Sequence, residues 1–298
     1  MTKDTRTLKI ASGGLSAEIA TLGAELRNLA DANGNGLQWD GDPAVWSGRA
    51  PLLFPIVGAL ASGRYRLGGR TYAMARHGFA RHTTFDVVAH DDHAATLRLE
   101  ADAQTRAVYP FDFRLDAAFT LIDAQVSIVA TVSNHGAGPM PASFGFHPAL
   151  RWPLPYGQAR ADHRIRFEHD EPGPVRRIDG NGLLRPEPQP SPVVGDVLTL
   201  RDDLFIDDAL IFDRLASRRV RYGASQGPSL DMTFDDLSML GVWTKPGAGF
   251  VCIEPWQGCA DPAGFDGEIW AKPGIVVIAA GESRAFSMTI ALIGEPTR

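Results

Sequence analysis

FRLDAAFTLIDAQVSIVATVSN, residues 113 to 134, puts Phe113, Leu115, Ala117, Phe119 and Leu121 at every second position, and Val126, Ile128, Ala130 and Val132 resume the pattern after the polar DAQ. A period of two lines one face of a strand, whereas a helix needs 3.6. The stretch therefore predicts an antiparallel hairpin lying on a core. GRYRLGGRTYAM (63–74) predicts a second hairpin, because Gly68 and Gly69 supply the positive φ angles a tight turn requires. Segments 83–101, 219–234, 238–254 and 275–293 carry further strand-like runs broken by Asp, Gly or Pro. Such alternation predicts an all-β fold: a large antiparallel β-sandwich with few short helices, in one domain spanning residues 1–298.

Eleven of the 21 prolines lie between residues 139 and 192. Proline removes a ladder donor, so this stretch reads as loops. Ile165 and Phe167 interrupt it and strand patterning resumes on both sides, which favours excursions at one end of a sandwich over a domain linker.

The chain has 298 residues, 44% of them hydrophobic, enough for a large core. A net charge of −6 without a basic block argues against nucleic acid or an anionic membrane surface as partner. The start, MTKDTRTLKIASGG, lacks the apolar core of a signal peptide, and no run is long enough for a membrane helix. With only Cys252 and Cys259, no disulfide framework is expected. These features predict a soluble cytoplasmic protein acting on a small solute.

Three islands set ionisable groups among glycines, aromatics and prolines: ARHGFAR (75–81), SFGFHPAL (143–150) and FVCIEPWQGCAD (250–261). Glu254 follows the apolar FVCI and precedes Pro255, which reads as a strand end where the chain leaves the ladder. A carboxylate partly desolvated there is pushed toward the range useful to a general base. His147 holds the equivalent place before Pro148, and His77 precedes Gly78. The ordinary alternative for Glu254 is an ion pair with an arginine. His82, His90, His93, His135, His163 and His169 fall in polar turns or loops and read as structural or surface residues. Trp243 and Trp256 fit either a core or a platform for a sugar face.

Other chemistries find little support. No glycine-rich phosphate loop precedes a helix, no Gly-x-Ser-x-Gly elbow occurs, the His90-x-x-His93 cluster lacks matching ligands, and the two cysteines lack a second ligand pair. What remains is acid–base chemistry by histidine and glutamate, with no metal and no cofactor expected.

RAPLLFPIVG (49–58), RHGFAR (76–81), FGFHPAL (144–150), DDALIF (207–212), GVWTKPGAGFVCIEPWQGCAD (241–261) and IAAGES (278–283) together, in this order, resemble the aldose 1-epimerase or galactose mutarotase-like family, nearest its shorter bacterial LacX-like branch. The resemblance spans roughly residues 8 to 293. It implies a sandwich of the galactose mutarotase type, an open cleft for a sugar, and no cofactor. It also implies that Glu254 is the general base, His147 the general acid and His77 a second histidine that orients the sugar. Arg49 and Asp208 are implied to bind sugar hydroxyls, with Asp207 a rival to Asp208, while Arg76, Trp243 and Trp256 are read beside them as further substrate-binding residues. Phe79 and Phe146 depart from the residues common in longer members, which predicts a reshaped pocket.

The activity implied is interconversion of α and β anomers of an aldohexose. Two rivals stay open: a phosphorylated hexose as substrate, with Arg64, Arg66, Arg70, Arg76 and Arg81 as a basic segment, and a carbohydrate-binding or sensing protein without turnover.

Overall fold

A computed structural model describes residues 5–294. Residues 1–4 and 295–298, part of the expected 1–298 unit, lie outside the described residues. Among the described residues antiparallel strands predominate, with short 3-10 turns and one short α-helix, Ala103–Val108, capped by Asp102. No helix among the described residues is long and apolar enough to cross a membrane.

The opening hairpin forms as its periodicity predicts. Strands Phe113–Ile122 and Gln125–Asn134 pair antiparallel with Ala117 opposite Ala130. The turn is tighter than DAQ suggests: Asp123, at φ 51°, and Ala124 make it, and Gln125 already belongs to the strand. All nine alternating apolar residues are buried, at 2% exposure or less. At about 25 cal/mol per Å² of apolar surface, each large side chain among them contributes about 1.5–3 kcal/mol. The second hairpin, Arg64–Leu67 with Arg70–Ala73, also forms, and Gly68 and Gly69 have positive φ.

The first hairpin sits inside a nine-stranded sheet. Its order from one edge is Val197–Thr199, Arg164–Phe167, Arg219–Gly223, Ser229–Thr233, Ser283–Ile293, Gln125–Asn134, Phe113–Ile122, Ala94–Glu100 and Asp86–His90. Each of its strand pairs is antiparallel. A smaller sheet runs Leu210–Phe212, Met239–Trp243, Phe250–Gln257, Phe144–Phe146 and Leu52–Leu53, and Ala149–Arg151 also pairs with Phe250–Gln257. One contiguous core joins them: Leu115, Ile128 and Phe286 of the large sheet belong to the same buried cluster as Phe144 and Ile253 of the small one. Phe144 and Phe286 stack across this boundary with centroids 5.1 Å apart.

The proline-rich stretch is an excursion, as expected. Its bridges Val175–Gln189 and Ile178–Leu184 close it locally, and Ile178 and Leu184 pack with Trp256 and Ala209 on the far face of the small sheet. Two histidines depart from expectation. His90 ends a strand, and His163 is fully buried, its Nε2 accepting from the Leu154 amide at 3.0 Å while Nδ1 lies 3.0 Å from the Ala159 carbonyl. Both contacts are local, so His163 anchors its own loop.

Candidate active site

Strand Phe250–Gln257 places the central carboxylate. Val251 and Ile253 face the main core, so Cys252, Glu254 and Trp256 project from the opposite face of the small sheet. Pro255 does not end the strand, contrary to expectation, and Glu254 lies within it, opposite Gly241. The Ile253 amide donates to Pro148 O, so by alternation the Pro255 nitrogen faces the same side. Counted on from Gly145 opposite Trp256, Pro255 lies opposite Phe146, just before the neighbouring strand is interrupted between Phe146 and Ala149. His147 occupies that interruption.

The result is a direct contact: His147 Nε2 lies 3.0 Å from Glu254 Oε2. Glu254 is 1% exposed, and among the described residues its Oε2 makes no well-aligned hydrogen bond, nor does Nδ1 of His147 have a partner. No arginine pairs with Glu254, which removes the ordinary alternative for this carboxylate. Trp46 stacks on the His147 ring with centroids 5.2 Å apart, while Trp243 and His77 meet it edge-on at 6.2 and 5.8 Å. The imidazole is held on three sides by rings.

His77 stands at φ 68°, in the left-handed region, so the loop aims its ring inward. The Gly58 amide donates to its Nδ1 at 3.1 Å. An amide can only donate, and so can the Arg76 Nε–H that meets the other ring nitrogen, so the single proton of the neutral ring faces one of two donors. Burial, then the neighbouring His147, Arg76, Arg81 and Lys272, hold His77 well below the usual imidazole range. Neutral at pH 7, it presents an N–H. Arg76 Nε approaches Nε2 at 3.3 Å. With the proton on Nε2 this is a meeting of two donors, which an acceptor placed between them would relieve.

Together with Ala209, Trp46, Arg76, His77, Arg81, His147, Asp208, Trp243, Glu254 and Trp256 line one cavity of about 200 Å³. That is below the roughly 300–1,000 Å³ of pockets for drug-sized ligands and suits a smaller solute. Trp256 fits because two nearby positions lack side chains: a Cβ at Gly241, opposite Glu254, would lie 2.5 Å from the indole, and one at Gly145, opposite Trp256 itself, 2.6 Å. Its Nε1 is buried without a partner. Asp208, at φ 65°, reaches the cavity, while Asp207 turns away toward Arg185. Arg177 holds this loop by donating to the carbonyls of Asp208 and Leu204, both at 2.8 Å.

Three expectations need correction. Arg49 does not line the cavity: its backbone amide donates to Glu25 and its guanidinium to the Arg27 carbonyl, and Trp46, three residues earlier, reaches the site instead. Phe146 is buried in the main core against Phe144, and Phe79 packs on Phe54, Tyr109 and Phe113, so neither shapes the cavity wall. Of the basic segment Arg64, Arg66, Arg70, Arg76 and Arg81, only Arg76 and Arg81 line the cavity. The Nε of Arg81 is buried without a partner, and burial together with Arg76 lowers its guanidinium from the usual value. Trp46 carried no sequence signal beyond its closeness to RAPLLFPIVG (49–58).

Comparison with known proteins supplies the context. The profile of the family described as Aldose 1-epimerase matches residues 6–287. The chromosomal LacX protein of Lactococcus lactis is 30% identical over 263 residues, covering 85% of this chain and 88% of that one. A galactose mutarotase-like protein from Lactobacillus casei superposes with a TM-score of 0.89 at 29% identity, covering 97% of this chain and all of the other. A galactose mutarotase related enzyme from Lactobacillus acidophilus gives 0.88 at 27%, with 97% and 98% covered.

Proposed function

The chain belongs to the aldose 1-epimerase family, and from that premise we propose that it interconverts the α and β anomers of an aldohexose by acid–base ring opening. The observation that carries this reading is the 3.0 Å contact between His147 and Glu254 on the cavity floor. Mutarotation is proton-neutral. Glu254 takes the proton from the C1 hydroxyl, the C1–O5 bond breaks, and His147 gives a proton to O5, leaving an open-chain aldehyde. Rotation about C1–C2 turns the other carbonyl face toward O5. The steps then reverse: O5 attacks C1, returns its proton to His147, and O1 recovers one from Glu254. A base and an acid within reach of two oxygens on one carbon are what this exchange needs.

His77 has the positioning task. With its proton on Nε2, it and the nearby Arg76 Nε both donate toward the cavity, so a sugar oxygen between them accepts twice. Asp208 accepts from hydroxyls, and the Trp243 and Trp256 rings border the apolar face of the sugar. Sequestered among these groups, the reacting atoms are held in the geometry that lowers an entropic barrier. A purely binding protein would have no use for an unpaired buried carboxylate set against an imidazole.

One observation favours a narrower substrate. Among the described residues, neither Arg76 nor Arg81 forms an ion pair with a carboxylate, and both line the cavity. Two uncommitted guanidinium groups suit an anionic substituent, as on a hexose phosphate. Polarimetry on freshly dissolved α-D-glucose, α-D-galactose and glucose 6-phosphate, with EDTA present, tests both readings. Acceleration of a free hexose supports the general reading, and a much higher kcat/KM for the phosphorylated one supports the narrower. No acceleration of any aldose would remove the enzymatic reading.

A further inference from the structure

Most buried polar groups away from the cavity are satisfied within the protein. Lys272 holds Asp261 at 2.8 Å, Glu171 accepts from the Ser217 amide at 2.7 Å, and Arg177 is bound to backbone carbonyls. The cavity floor differs. Cys252 and Glu254 are two residues apart on one strand and face the same side, and His147 lies beside them across the ladder. One ligand atom from each of the three falls within 4.8 Å of the others, and all three residues are buried. Nδ1 of His147 has no partner among the described residues, and Oε2 of Glu254 makes no well-aligned hydrogen bond beside its contact with His147 Nε2. Cys252 is a free thiol.

We infer that His147, Cys252 and Glu254 form a binding site for a soft or borderline divalent cation of the Zn²⁺ or Cd²⁺ type, and that its occupation shuts the active site by engaging the acid–base pair. Imidazole, thiolate and carboxylate are the donor types zinc accepts, and three protein ligands leave a fourth position, here open to the cavity. The thiolate selects against Mg²⁺ and Ca²⁺, which want oxygen alone. One thiolate and one carboxylate neutralise the dication, so the buried site carries no net charge once filled. Metal–ligand distances of about 2.0–2.3 Å place tetrahedral ligands roughly 3.3–3.7 Å apart, so Cys252 must close by about 1.5 Å at most. On binding, the S–H bond breaks, the metal–sulfur bond forms, and the proton leaves to solvent. In this scheme the cation is an inhibitor, and turnover needs none.

The test uses the full chain, freed of metal by EDTA and desalted. CdCl₂ titration should give one equivalent of a thiolate-to-cadmium charge-transfer band, and ZnCl₂ should slow anomer exchange in proportion to calorimetric occupancy. Folded Cys252→Ser should lose the band, keep its metal-free rate within about twofold, and lose at least about tenfold in Zn²⁺ affinity, since second-shell changes alone remove 10–100-fold. Cys259→Ser should keep both band and affinity. Glu254→Gln should keep the band with weakened affinity, which decides the matter if the cysteine variants do not fold. Absence of the band in the parent protein, its survival in Cys252→Ser, its loss in Cys259→Ser, or unchanged affinity in Glu254→Gln would each overturn the inference. Band and calorimetry report binding even if no sugar is turned over, so the two readings fail separately.

Discussion

The two sheets use their second faces differently. In Phe113–Ile122 buried residues alternate with half-buried ones, and the outer face of the large sheet carries ordinary ion pairs such as Arg98–Asp116. In Phe250–Gln257 both faces are buried: one on the main core, the other beneath loops that bring Trp46, Arg76, Arg81 and Asp208 over Glu254. A carboxylate on the first kind of face is solvated and worth little. On the second kind it is desolvated and set directly against an imidazole. Covering the second face is what turns a strand position into chemistry.

The largest effect should come from the covered face. Glu254→Gln keeps shape but cannot take a proton, and should lower kcat by about 10²–10⁴-fold with binding retained. Polarimetry on a variant shown folded by circular dichroism measures it. More than about a tenth of parental kcat remaining would make this carboxylate structural and erase the contrast between the faces.

Gly241→Ala attacks the same face without touching an ionisable group. Its Cβ would fall 2.5 Å from Trp256, so the indole must move or the sheet must spread. Overpacking of this kind costs about 1–3 kcal/mol, read from the urea midpoint, and should also raise KM by displacing a cavity wall. An unchanged midpoint together with unchanged KM would show that Trp256 has room the contact denies.

Acid should expose a smaller difference. Folded His77 resists protonation, so below the unfolded imidazole value near 6.5 the unfolded chain binds the extra proton and stability falls as pH falls. Thermal melts between about pH 7.5 and 5 should show this loss, full stability being present above that range. His77→Asn should flatten part of it, and burial of His163, and of His82 beside Arg81, supplies the rest. An identical acid slope in the variant would mean His77 is not held neutral.

The smallest effect belongs to the open face. Ile122, 64% exposed at the end of the first hairpin, should tolerate Thr within about 0.5 kcal/mol and with no change in KM. A large loss in urea denaturation would show that this face, too, is covered.

Much of the fold was legible because its cause is local. Periodicity in 113–134 and the paired glycines at 68 and 69 each specify a hairpin from adjacent residues, and both hairpins form in register. Motif order likewise pointed to Glu254, His147, His77 and Asp208, which the fold brings to one cavity. Arg49 and Trp46 show the limit: both lie in one short segment, and only the paths of Glu25 and Arg27 decide which of them faces inward. Pro255 misled for a related reason. A missing N–H costs one ladder bond, and here pairing on the other side, Leu240 with Pro255 and Met239 with Trp256, carries the strand past it.

By itself, then, the sequence determined the all-β class, the hairpins and the chemical character of the islands, since strand alternation and turn conformation depend on neighbours along the chain. The tertiary structure alone decided that Glu254 meets His147, that both ring nitrogens of His77 face N–H donors, and that Cys252 joins them. Those outcomes rest on distances between residues far apart in sequence, and on which face of a strand the loops happen to cover.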